Sequence, residues 1–166
     1  FSGIVEEVGS DVKELKVGDR VTSETTFKTC GKCIYCKNEE YNLCSSRQGL
    51  GTQADGGFAE YVHIYKNTYV WKIPDNMPSK IAVLLDPTAV AVRAIEQTMT
   101  SMGGLNEGFS TTSTVLIVGP GAIGILTGMI YRYMGCEKLI FTGRSDEKLK
   151  RAKEITGADE VLNVKD

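Results

Sequence analysis

Residues 115–124 read Val-Leu-Ile-Val-Gly-Pro-Gly-Ala-Ile-Gly, and they constrain the fold more than any other stretch of the chain. Four apolar residues make a short strand. Gly119, Gly121 and Gly124 then lead straight into an apolar helical pattern from Ala122 to Tyr133. Strand, glycine-rich turn and helix in that order open a βαβ unit. The first glycine makes the tight turn, the second lets backbone approach a pyrophosphate, and the third lets helix and strand pack closely. Past Pro120, which has no N–H of its own, the helix start at Ala122 and Ile123 offers free N–H groups and a partial positive charge to an anion. The alternation continues with a strand at Lys138–Thr142, a helix at Asp146–Ile155 and a strand at Glu160–Leu162. This predicts an α/β chain with a parallel sheet. The bland alternative is a glycine-rich strand–helix turn that holds no ligand.

The end of the second strand chooses the nucleotide. A site for NAD places Asp or Glu there, about twenty residues on, to bind the ribose hydroxyls. Here Gly143 stands at that place, followed by Arg144 and Ser145, with Lys148 one turn into the next helix. Room, cations and a hydroxyl favour a ribose 2′-phosphate, hence NADP. The alternative is NAD, with Arg144 solvated and Asp146 on the ribose. Against it, Asp146 falls where a helix cap is expected.

Four of the five cysteines fall close together, as Cys30-x2-Cys33-x2-Cys36-x7-Cys44. Disulfides fit poorly, because two intervening residues close very small rings and nothing marks a secreted protein. A bacterial iron–sulfur run has its fourth cysteine after three residues, trailed by Pro. Here it comes after seven and is trailed by Ser45. Zinc fits best: four thiolates close a tetrahedron, leave no open position and so mark a structural metal. Lys28, Lys32 and Lys37 would offset the thiolate charge. Iron–sulfur and free thiols remain the competing readings. Cys136 stands alone between an apolar helix and strand, as a small buried hydrophobe does.

Before residue 79 the chain reads as short strands and loops. Strands are expected at 2–8, 58–64 and 69–73, with turns at Gly9-Ser10-Asp11 and Gly18-Asp19. Ser79 can cap a helix that runs through Leu85. Pro87 disfavours helical geometry at Asp86, so a bend is expected there, with a second helix over 89–99. Residues 100–114 read as a long polar loop.

With 19 Lys plus Arg against 21 Asp plus Glu, the net charge is −2. That gives no electrostatic footprint for duplex nucleic acid or an anionic membrane. No apolar run approaches the ~20 residues that cross a bilayer, so the expected compartment is the cytoplasm. The chain opens on Phe1, already in strand-like sequence, which reads as a missing beginning.

Together these features resemble the zinc-dependent medium-chain dehydrogenases of the alcohol dehydrogenase superfamily, nearest the sorbitol, threonine and polyol branch. The carriers are Gly3-x-Val5-x-x-Val8-Gly9 with Gly18-Asp19-Arg20-Val21, the cysteine lobe ending Tyr41-Asn42-Leu43-Cys44, Gly57-Phe58-Ala59-Glu60-Tyr61-Val62, residues 115–124, and the Gly157-Ala158-Asp159 turn. The resemblance implies a partial GroES-like β-rich catalytic domain over 1–88, holding the zinc lobe at 29–46. The first half of a Rossmann sheet follows over 89–166. It implies a small-molecule alcohol or polyol substrate, a homodimer or homotetramer when intact, and a catalytic zinc that polarises the substrate oxygen during hydride transfer. The first two ligands of that zinc, a Cys and the His of a Gly-His-Glu motif, would lie upstream of Phe1. His63, the single histidine, sits in no such motif. Asp86-Pro87 matches a Glu-Pro (or Cys) position that binds or flanks the catalytic zinc; Asp86 keeps the carboxylate but is one methylene shorter. The resemblance leaves the fragment inactive alone. Competing readings are a non-catalytic zinc-stabilised nucleotide-binding module and a zinc-free quinone-type reductase.

Overall fold

The computed structural model describes residues 1–99 and 109–165. The chain divides into two compact units, Phe1–Leu85 and Asp86–Asp166.

The first unit is built on a three-stranded antiparallel sheet. β1 (Gly3–Ile4) pairs with β2 (Arg20–Ser23), and β2 pairs with β5 (Val70–Lys72). A smaller ladder joins β3 (Thr26–Lys28) to β4 (Gln48–Gly49). Between these two lies the cysteine lobe, with the short helix α1 (Ile34–Lys37) and a 3-10 turn at Tyr41–Leu43. Val21, Leu50 and Ile73 are buried. The Arg20 guanidinium donates to the carbonyls of Met77, Pro74 and Asp75, which ties down the loop after β5. Lys72 pairs with Asp19 at 2.8 Å across β5 and the start of β2.

Two strand expectations contract. Of residues 2–8, only Gly3–Ile4 is strand, extended by the Val5 N–H donating to the Asp19 carbonyl. Residues 58–64 carry the period-2 pattern but form no strand. A strand exists only when a neighbour takes its backbone bonds, and none among the described residues does. Phe58 and Tyr61 consequently stand exposed.

α2 (Ser79–Ala82) has Pro78, not Ser79, at its N-cap. Residues 83–84 form a turn, and α3 runs from Leu85 to Met99. The bend expected at Asp86 is therefore absent. Pro87 lies in the first turn of α3, where a helix has no use for its missing N–H. Of the long loop expected at 100–114, residues 100–108 lie outside the described residues, and Thr114 already belongs to the next strand.

In the second unit β6 (Thr114–Val118), β7 (Lys138–Gly143) and β8 (Glu160–Asn163) form a parallel sheet in that order. α4 (Ala122–Tyr133) and α5 (Asp146–Thr156) make the crossovers. The register sets Val115 beside Leu139 and Phe141 beside Val161. Val115, Ile117, Leu139 and Phe141 project to one face, where Ile95, Tyr131, Leu149 and Ala152 cover them. Cys136 joins this core at 4% exposure, and burial pushes its thiol pKa up.

One polar tie locks the turn before β8. The Asp159 carboxylate accepts from the Leu139 N–H at 2.7 Å and from Arg132 at 2.8 Å, and Arg132 also donates to the Gly157 carbonyl. The Leu139 N–H and then Arg132 hold the Asp159 pKa below the usual carboxylate range. A depressed folded pKa contributes stability that is complete above the unfolded value of about 3.9 and is lost as pH falls through the folded one. Acid melting curves should show Asp159→Asn less stable than wild type at pH 6, the gap closing below about pH 4.

Candidate functional site: a thiolate cluster and a nucleotide groove

The four cysteines meet. Their sulfur atoms all lie within 4.8 Å of one another. Cys33 and Cys36 approach to 3.5 Å, Cys30 and Cys36 to 3.8 Å. A tetrahedral zinc with bonds of about 2.3 Å separates its sulfurs by about 3.8 Å, so the cluster has the size of one ion. Cys33 is the N-cap residue of α1 and Cys36 lies within that helix, while Cys44 follows the 3-10 turn. These two short elements convert the sequence spacing into a closed cluster. The N–H of Cys30 donates to Cys44 Sγ, and that of Cys33 to Cys30 Sγ, both at 3.4 Å. Backbone N–H groups of Lys32 and then Cys33 bring the Cys30 pKa down to about 6. Such donors stabilise thiolate, the form that binds metal. All four cysteines lack disulfide bonds. Among the described residues no other group of three or more Cys, His, Asp or Glu side chains could hold an ion.

Asp86 is exposed, in the first turn of α3. There a carboxylate faces the favourable end of the helix dipole. His63 is exposed too, its ring 4.6 Å from that of Tyr65.

The glycine-rich turn builds the second site. Gly119 has φ +103°, open to glycine and strained for other residues. A Cβ on Gly124 would strike the Gly119 carbonyl oxygen. Gly121 is the N-cap of α4 and supplies no side-chain cap. The first-turn N–H groups of Ala122, Ile123 and Gly124 therefore have no carbonyl within the helix. A Cβ on Gly121 would meet nothing within 4 Å, so the space above these donors is open.

Beside it runs a groove of about 460 Å³. Gly119, Pro120 and Gly121 line one side; Gly143, Arg144, Ser145 and Lys148 line the other. The structure thus brings the sequence-derived turn and corner together. Val118, Thr142 and Val164 also line the groove and were not singled out from sequence. The available signal was position, since ligands of such sheets sit at the carboxyl ends of strands. Ser145, not Asp146, caps α5, accepting from the Lys148 N–H. Asp146 instead accepts from Asn163 at 2.6 Å. Arg144 and Lys148 form no ion pair among the described residues. Orphan N–H donors, open space and two uncommitted cations fit a phosphorylated dinucleotide.

Comparison with known proteins finds relatives along the whole chain. Residues 1–75 match the family model described as the alcohol dehydrogenase GroES-like domain. A sorbitol dehydrogenase of Halalkalibacterium halodurans is 40% identical over all of this chain and 46% of its own length. The chain belongs to the medium-chain dehydrogenase family. Two solved structures support the placement. A candidate zinc-binding dehydrogenase from Sinorhizobium meliloti 1021, bound to NADP, has TM-score 0.85 and 31% identity over 98% of this chain and 44% of its own. A short chain alcohol dehydrogenase from Escherichia coli CFT073, complexed with NADH, has TM-score 0.83 and 32% identity over 99% of this chain and 45% of its own. The chain thus spans somewhat less than half the length of these relatives. No helix among the described residues is long and apolar enough to cross a membrane.

Proposed function

We propose that this chain is the structural-zinc and nucleotide-binding part of a cytoplasmic, zinc-dependent alcohol or polyol dehydrogenase that uses NADP(H) and works as a homodimer or homotetramer. Residues 1–88 belong to its GroES-like catalytic domain and residues 89–166 to its dinucleotide-binding domain. Cys30, Cys33, Cys36 and Cys44 hold a structural zinc, because four thiolates leave it no open position. Nicotinamide supplies hydride transfer when bound. The chain's own residues supply binding and orientation. Gly119, Gly121 and Gly124, with the N–H groups after them, receive the pyrophosphate. Arg144 and Lys148 neutralise the ribose 2′-phosphate, and the Ser145 hydroxyl borders the same corner. Asp86 is assigned to the border of the catalytic metal.

The observation that carries the nucleotide reading is the corner itself. Among the described residues its lining holds two cations and no carboxylate, and Asp146, next in the chain to Ser145, is engaged by Asn163. Turnover is assigned to the protein in which this chain is joined to the remaining length that its relatives have. The 166-residue chain alone is expected to show no polyol-dependent reduction of NADP⁺ at 340 nm, because it offers no second metal cluster among its described residues. The zinc-loaded longer protein is expected to reduce NADP⁺ with a secondary alcohol or polyol. Silence across a polyol panel would refute the dehydrogenase reading.

A further inference from the structure

We propose that Pro120 sets the nucleotide preference through Gly143: its ring excludes any side chain from the position where an acidic reader of an unphosphorylated ribose would stand. The inference rests on reading the groove as a nucleotide site. A Cβ placed on Gly143 would lie 2.6 Å from Pro120 Cδ and 2.9 Å from its Cγ. Ordinary carbon–carbon contact is about 3.5–4.0 Å. A longer side chain would rotate away. The proline ring is closed onto its own backbone nitrogen and has no such freedom. It can retreat only if the Gly119–Gly121 turn moves.

That turn is held on two sides. The Gly119 N–H donates to the Thr142 carbonyl at 2.9 Å, immediately before Gly143. Gly124 abuts the Gly119 carbonyl closely enough to exclude a Cβ. On the other flank the same added Cβ meets Leu149 Cδ2 at 3.5 Å, and Leu149 is buried in the core. Residue 143 is thus confined between a rigid ring and a packed helix. While Pro120 is present, Asp or Glu at 143 has no room, and the sugar corner is left to Arg144 and Lys148. Placing an acidic ribose reader at 143 requires substitutions at both 120 and 143.

The test is a double-mutant cycle on this chain, with thermal melting and titration by NADPH and NADH. Gly143→Ala is expected to lower Tm by roughly 4–8 °C, and adding Pro120→Ala should restore most of it. Gly143→Asp alone should weaken both nucleotides. Pro120→Ala with Gly143→Asp should move the NADH-to-NADPH affinity ratio about tenfold or more towards NADH. A Gly143→Ala chain that melts with wild type, a missing rescue, or a Gly143→Asp chain that switches as far as the double variant would each overturn the proposal. Tighter binding of NADH by the wild-type chain would refute the NADP reading, while the melting cycle would still judge the Pro120–Gly143 contact.

Discussion

Cys36→Ser is expected to leave the purified chain without bound zinc and to unfold the lobe between β3 and β4. Cys36 is buried and its sulfur lies close to those of both Cys30 and Cys33. Its loss removes one ligand and one wall of the cluster. A structural zinc in small peptides contributes on the order of 10–16 kcal/mol of apparent folding free energy, as much as a whole domain's net stability of about 5–15 kcal/mol. The lobe's short elements, four and three residues long, cannot replace that. Metal analysis should fall from one zinc per wild-type chain to none, and amide exchange across residues 29–46 should become fast. Binding also displaces thiol protons, so zinc loading of the wild type should weaken as pH falls. Retention of zinc by Cys36→Ser would mean that the sulfurs do not share one ion.

Arg144→Glu should separate the two nucleotides. The substitution removes a cation from the sugar corner and adds an anion there. A hydrogen bond to a charged group contributes about 1.5–3 kcal/mol, and every 1.4 kcal/mol is about tenfold in affinity. The NADPH dissociation constant should therefore rise about 10–100-fold. NADH carries no 2′-phosphate and should change less than about threefold by the same conversion. An equal loss for both would place the defect in the fold of the corner rather than in reading of the phosphate.

The sequence made some parts of this molecule legible for a local reason. Helix α4 begins and ends where its apolar period does, because the glycine turn and the return to Lys138 are both encoded nearby. The cysteine cluster was legible from spacing alone, since two short turns suffice to close it. Residues 58–64 were misleading, because alternation specifies a face but not a partner strand. Asp86-Pro87 was misleading in the opposite sense: the proline that suggested a break marks the start of α3. The wall formed by Thr142 and Val164 was not legible, since it depends on how β7 and β8 end side by side. Nor was the pressure of Pro120 on Gly143, two residues 23 positions apart in the chain.

The most direct measurement is a calorimetric titration of the zinc-loaded wild-type protein with NADPH and, separately, with NADH. Phosphate-reading cations without a ribose-reading carboxylate should give NADPH an advantage of about tenfold or more. Equal affinities, or a preference for NADH, would contradict the basic sugar corner at Arg144 and Lys148.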